Sequence, residues 1–123
     1  MIIGIGTDII EIGRIKKAIM ENGRFLSRVF TENEIRYATS KNGIRYSSIA
    51  GMWAAKEAYA KATGKGFRDF AMKDVEVLHD DLSSPGLRLY RKARIYSEGA
   101  KVHISISHSD LLAIAYCIIE RKG

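Results

Sequence analysis

The 123-residue chain has little of what marks special architectures. Its one cysteine, Cys117, excludes an internal disulfide framework and a cysteine-rich zinc module. Its one proline, Pro85, leaves no proline-rich linker, and no repeat or low-complexity tract interrupts the chain. Residues 1–123 therefore read as a single domain, in keeping with their length. The longest apolar run, Leu111–Ile119, falls well short of the ~20 residues a membrane-spanning helix needs. The opening MIIGIGTDII has neither the cationic start nor the cleavage site of a secretory signal, so a cytoplasmic location is expected. Acidic residues are the minority: 14 against 20 Lys and Arg, a formal charge of +6. Such an excess suits nucleic acid, acidic proteins or phosphorylated small molecules, and equally serves solubility. With 46% apolar and 28% charged residues, the composition excludes a disordered chain.

Periodicity predicts a mixed order of elements. Met1–Thr7 reads as a strand, followed by a helix from about Ile9 to Asn22. Thr31-x-x-Glu34 has the capping-box spacing, so a helix should begin there. The longest helix, about Tyr46 to Thr63, is rich in Ala, Met, Lys and Glu, with Gly64 placed to end it. Val75–His79 and Leu87–Tyr90 read as strands, and Lys92–Glu98 as a short helix. Val102–His108 alternates, and Leu111–Glu120 is nearly all apolar, which suggests burial on both faces. A polar turn at Ser109-Asp110 makes these last two strands a hairpin. The expected class is α+β, with a largely antiparallel sheet, one long helix and shorter helices.

Several motifs carry possible chemistry. Gly4-x-Gly6 fails as a dinucleotide fingerprint because Ile9 occupies the third glycine position. It leaves Asp8 as a carboxylate at a strand end, either functional or simply facing the free N–H groups of a following helix. Glu57 and Lys61, four apart on the long helix, form either a surface ion pair or part of a partly enclosed site. Asp8 and Glu57 could share one Mg²⁺, an ion usually held by one or two carboxylates with substrate phosphate and water. Thr63-Gly64-Lys65-Gly66 lacks the residues of a P-loop, yet glycines beside Lys61, Lys65 and Arg68 would let backbone and cations approach a phosphate. The same glycines serve equally as a helix stop. In HISISHSD, a Ser-His-Asp triad is disfavoured because adjacent strand residues point apart, while His108 and Ser109 suit phosphate binding at a strand end. His103 reads as a packed, satisfied sheet histidine, and Cys117 as inert core. Residues 13–28 concentrate Arg14, Lys16, Lys17, Arg24 and Arg28 against one anion, Glu21. That segment is either a docking face for an acidic partner or an ordinary solvated surface.

Taken in order, GIGTDIIEIGRI, WAAKEAYAKATGKG and HISISHSD resemble the three motifs of the holo-acyl-carrier-protein synthases, the small 4′-phosphopantetheinyl transferases. The resemblance covers essentially the whole chain. It implies the phosphopantetheinyl transferase fold and transfer of 4′-phosphopantetheine from coenzyme A to a serine of an acyl carrier protein. Adenosine 3′,5′-bisphosphate leaves, and the reaction supports fatty acid biosynthesis. It implies that Asp8 and Glu57 hold Mg²⁺ and that Lys61 neutralises phosphate, these three being the catalytic residues. Lys65 and Gly66 would also meet coenzyme A, with His108 and Ser109 on its 3′-phosphate. Arg14, Lys17, Arg24 and Arg28 would receive the acidic carrier protein. The short type forms homotrimers with each active site between two subunits. The attacking serine belongs to the partner, so phosphoryl transfer asks the enzyme mainly for positioning and charge neutralisation. The proton acceptor is left as Glu57 or a metal-bound water. Two positions depart from the family: Met52 stands where an arginine is usual, with Lys56 or Arg45 as possible substitutes, and Ser83-Ser84-Pro85-Gly86 matches a Gly-Lys-Pro region only loosely. Alternatives of another class are an RNA-binding module, which the His and Ser face of Val102–His108 disfavours, and a non-catalytic carrier-protein or nucleotide-binding module.

Overall fold

The computed structural model describes residues 1–122. Strand β1 (Ile2–Glu11) leads into helix α1 (Ile12–Glu21), followed by α2 (Phe25–Val29) and α3 (Glu32–Ala38). Two-residue strands β2 (Thr39–Ser40) and β3 (Gly43–Ile44) form a small hairpin before the long helix α4 (Tyr46–Ala62). Strands β4 (Val75–His79) and β5 (Pro85–Leu89) pair antiparallel, α5 covers Arg91–Ile95, and β6 (Lys101–His108) and β7 (Leu112–Glu120) close the chain. The main sheet is antiparallel with order β1-β7-β6, giving the α+β class expected.

Local chemistry accounts for most boundaries. The Thr31 hydroxyl accepts from the Glu34 amide at 3.3 Å, and Glu34 Oε1 accepts from the Thr31 amide at 2.8 Å, so the predicted capping box starts α3. Helix α4 ends as Gly64 turns to φ +75°, a conformation glycine adopts without a Cβ penalty. The first boundary differs from expectation. The strand continues to Glu11 rather than stopping before Asp8, because its pairing with β7 runs unbroken through Asp8↔Ala115 to Glu11↔Leu112. Asp8 is therefore a mid-strand residue rather than a helix-start carboxylate, and α1 begins at Ile12 rather than Ile9.

The core lies between α4 and one face of the sheet. From Gly4 on, even-numbered positions of β1 point inward and odd-numbered positions outward. Gly4 and Gly6 sit so close to α4 that a Cβ on either would collide with the carbonyl oxygens of Ala62 and Ala58 respectively. Ala50, Ala54, Ala58 and Ala62, spaced one turn apart, are all buried. The pattern that failed as a nucleotide fingerprint is thus a close strand-to-helix contact. Strand β7 is buried on one side only, through Ala113, Ala115, Cys117 and Ile119, whereas Tyr116 remains 51% exposed. Within a single chain, the second face of Leu111–Glu120 is thus left uncovered. The exposed side continues over Ile5, 67% exposed, and Ile9 on β1. His103 also lies on this outer face, bonded to Glu120 at 3.0 Å, and is satisfied without being packed. Cys117 is core as expected, and burial pushes its thiol up to about 12. No helix of the described residues is long and apolar enough to cross a membrane.

Candidate active site

Two residues along β1 from Gly6, the inward position belongs to Asp8, so the glycine contact sets how close Asp8 comes to α4. On α4, Trp53, Glu57 and Lys61 recur every four residues and share a face. These elements meet in a groove of about 450 Å³, lined by Asp8, Arg14, Glu57 and Lys61 with an apolar wall that includes Phe25 and Trp53. The Phe25 and Trp53 rings stack at 5.9 Å between centroids. Lys61 Nζ donates to Asp8 Oδ1 at 2.9 Å and to the Thr7 carbonyl at 3.0 Å. The lysine reaches across to the strand, which the reading of a Glu57–Lys61 surface pair did not foresee. Its side chain is 53% exposed and that of Asp8 only 16%, so the ammonium is open to an incoming anion.

Glu57 is the carboxylate under electrostatic load. Burial pushes its proton affinity above the usual range, the Asp8 charge pushes it further, and Lys61 opposes. Two carboxylates with hard oxygen donors in one groove, one of them raised by the other's charge, fit a divalent cation such as Mg²⁺. Among the described residues no cluster of three or more His, Cys, Asp or Glu could hold a metal ion, so further ligands would come from substrate and water.

The remaining candidates distribute differently. His108 is exposed at the far end of β6 and opens into a second cavity, of about 210 Å³, beside Met52. Pairing puts Asp8, Ala115 and Ile106 in one cross-strand row, and Ile10, Ala113 and His108 in the next. Asp8 and His108 thus occupy opposite edge strands. Between them α4 rests on the sheet, with Gly51 against Ile106. The Ser109 hydroxyl accepts from the Leu111 and Leu112 amides at 3.3 and 3.2 Å, holding the hairpin turn. Lys65 and Gly66 lie beyond the end of α4, where the Gly66 amide donates to the Ala60 carbonyl at 3.1 Å as part of the helix stop. Arg14 borders the first groove. Lys17 approaches Glu21 at 4.0 Å on the same exposed helix, while Arg24 and Arg28 belong to the next turn and α2 rather than to a continuous face.

One expectation is overturned. Lys56 cannot stand in for the family's arginine at Met52, because it is 0% exposed. Its Nζ pairs with Glu34 at 2.9 Å and donates to the Met72 and Val75 carbonyls at 2.9 and 2.6 Å. Arg45, the other substitute, lies over the ring of Tyr37, which lines the second cavity. The sequence reading missed Phe25, Trp53, Tyr37 and His79 as walls of the two cavities. For Trp53 a signal existed, its four-residue spacing from Glu57.

A family model described as the 4′-phosphopantetheinyl transferase superfamily matches residues 4–117. Fold and groove thereby define a small group-transfer enzyme. Holo-[acyl-carrier-protein] synthases of Clostridium tetani and Clostridium perfringens are 51% and 47% identical over 98% of this chain, covering 97% and 95% of those proteins. The crystal structure of the Bacillus anthracis holo-(acyl-carrier-protein) synthase, in complex with CoA (3′,5′-ADP), superposes with a TM-score of 0.84 at 40% identity, over 99% of each chain. That of Helicobacter pylori, in complex with coenzyme A, gives 0.81 at 31% identity over 94% of this chain and 99% of that one. The chain belongs to the 4′-phosphopantetheinyl transferase superfamily and, within it, is an enzyme of the holo-[acyl-carrier-protein] synthase type.

Proposed function

We propose that the chain transfers 4′-phosphopantetheine from coenzyme A to a serine hydroxyl of an apo acyl carrier protein and releases adenosine 3′,5′-bisphosphate. The reaction serves fatty acid biosynthesis in the cytoplasm, with Asp8 and Glu57 holding Mg²⁺. The observation that carries this reading is the groove in which Asp8, Glu57 and Lys61 converge beside an apolar wall. When bound, the metal neutralises the pyrophosphate and orients it. The open ammonium of Lys61 binds the same phosphates, and Phe25 and Trp53 exclude water from the wall of the groove. A bond forms from the serine oxygen to phosphorus as the phosphoanhydride P–O bond breaks. Glu57, with its raised proton affinity, suits the role of acceptor for the serine proton. Arg14, which borders the groove, and Lys17, Arg24 and Arg28 receive the acidic carrier. Lys65 and Gly66 meet coenzyme A beyond α4, and His108 and Ser109 meet its 3′-phosphate.

The opposite-edge placement of Asp8 and His108 favours a shared site, in which one subunit offers the carboxylates and its neighbour the histidine. The exposed apolar face of Ile5, Ile9 and Tyr116 gives such an assembly something to bury. Resemblance to the short-type family supplies the number, a homotrimer.

The test incubates the protein with coenzyme A, Mg²⁺ and an apo carrier protein and reads intact mass. The carrier gains one phosphopantetheine, the gain stops with a chelator, and Mg²⁺ restores it. Unchanged transfer in the chelator removes the metal from the mechanism. Light scattering that finds an active monomer removes the shared site.

A further inference from the structure

A second basic segment takes no part in the site described above. Residues 82–97 carry Arg88, Arg91, Lys92 and Arg94 and no acid, a net charge of +4 that equals that of residues 13–28. All four cations are exposed. Helix α5 turns Ala93 inward, where it is buried, and the Tyr59 hydroxyl of α4 donates to the Ala93 carbonyl at 2.6 Å. Opposite Ala93, the spacing of Arg91, Arg94 and Ile95 puts them on one outward face, and Ile95 is 63% exposed there. On α4, Glu57 and Tyr59 point about 200° apart, as two steps of a helix with 3.6 residues per turn require. Helix α5 therefore lies across α4 from the groove of Asp8 and Glu57. It also lies away from the outer sheet face of Ile5, Ile9 and Tyr116, which α4 does not cover.

This face is held in place and short of countercharge. Arg91 Nε donates to the buried Asp74 carboxylate at 2.6 Å, and the Tyr90 amide donates to the Asp74 carbonyl at 2.9 Å. These contacts tie the start of α5 to the turn Met72–Asp74, whose Lys73 lines a cavity together with Arg91. Arg88, Lys92 and Arg94 form no ion pair among the described residues. Unpaired cations around one exposed isoleucine complement an acidic protein surface that presents an apolar side chain among its carboxylates. They suit a nucleic acid less well. The segment's two aromatic rings, Tyr90 and Tyr96, are half-buried, with their hydroxyls bonded to Glu76 and Asp69, so no open ring offers a platform to bases.

We propose that the outward face of α5, flanked by Lys73, is a second docking surface for the acidic carrier protein, separate from the one that feeds the groove. The proposal rests on the reading that this carrier is the substrate, and the two fail separately. A carrier held on α5 stands across α4 from Glu57, so its serine is not the one being modified. It waits within reach as the next substrate, which raises the local carrier concentration without touching the chemistry. No covalent bond changes at this surface.

The test is calorimetric titration of the full chain with an apo acyl carrier protein at low salt, read as carriers bound per chain, alongside the rate of transfer. Two carriers per chain are expected. Lys92→Glu combined with Arg94→Glu should weaken the second carrier about tenfold or more. The same variant should keep the wild-type rate at saturating carrier, because neither residue belongs to the groove. Ile95→Ala alters no charge and gives a milder handle should the double variant fold poorly, with a loss of a few-fold in the second affinity. One carrier per chain, with transfer intact and binding indifferent to all three substitutions, overturns the proposal and leaves the substrate reading standing. A single-stranded oligonucleotide that binds as tightly as the carrier, and is lost in the charge-reversed variant, makes α5 a phosphate surface and overturns it too. A carrier that neither binds nor is modified overturns both readings.

Discussion

Lys56 and Glu57 are neighbours in the chain and opposites in the molecule. Lys56 points away from the groove into a site where every polar partner is provided: Glu34 carries the countercharge and two carbonyls take the remaining protons. Glu34 is itself saturated, capping α3 through the Thr31 amide and holding the Val77 amide at 2.8 Å. Glu57 points into the groove, where its nearest charged influence after burial is another carboxylate. One side of α4 is electrostatically complete, while on the other Glu57 has a like charge at Asp8 and the partly exposed Lys61 for neighbours. Such completeness marks Lys56 as a structural charge, whereas a carboxyl raised by burial and a like charge in a groove is a functional candidate.

Substitutions should separate the two sides cleanly. Asp8→Ala should lower transfer roughly a thousandfold, the several kcal/mol that phosphate neutralisation supplies, while shifting the melting temperature little. Lys56→Ala should do the reverse first: leaving Glu34 buried and unpaired costs about 3–5 kcal/mol of stability, seen as a lower denaturation midpoint. A Lys56→Ala protein as stable as the wild type would show that the complete side is not holding the fold.

Gly6→Ala probes the seam between the sides. Its new methyl would meet the Ala58 carbonyl, and relieving that overlap should cost ~1–3 kcal/mol and move Asp8 away from Glu57. Loss of activity together with loss of Mg²⁺-induced stabilisation is the expected result. An active, Mg²⁺-responsive Gly6→Ala would disconnect the glycine contact from the site.

The smallest effect has the opposite sign. A carboxyl whose proton affinity is raised by folding binds protons more tightly folded than unfolded, so stability increases as pH falls through its folded pKa. Glu57→Gln should therefore melt slightly higher than the wild type at neutral pH, and the difference should shrink on acidification. Mg²⁺ should raise the melting temperature of the wild type and not of the variant. A variant less stable than the wild type would show that Glu57 is satisfied within the chain.

Much of this was legible in the residues themselves, wherever the cause was local. The capping box of Thr31 and Glu34, the glycine that ends α4, the alternation of Val102, Ile104 and Ile106 and the final hairpin each depend on backbone chemistry within a few residues. The choice of Asp8, Glu57 and Lys61 also came from the sequence, through motif resemblance and helical spacing. What escaped was decided across the chain. Pairing with β7 extended β1 past Asp8, since each further ladder bond stabilises a strand whatever its local propensity. Nothing near Lys56 announces its burial, because its partners lie 22 residues before it at Glu34 and, through carbonyl oxygens, at Met72 and Val75. The sequence by itself determined which residues were candidates for the chemistry and where locally signalled boundaries fall, such as the start of α3 and the end of α4. Tertiary structure alone decided that Lys61 answers to Asp8 rather than Glu57, that Tyr37 stacks on His79, and that Asp8 and His108 face different cavities. Those outcomes depend on which elements pack together, and distance along a chain carries no record of distance across a fold.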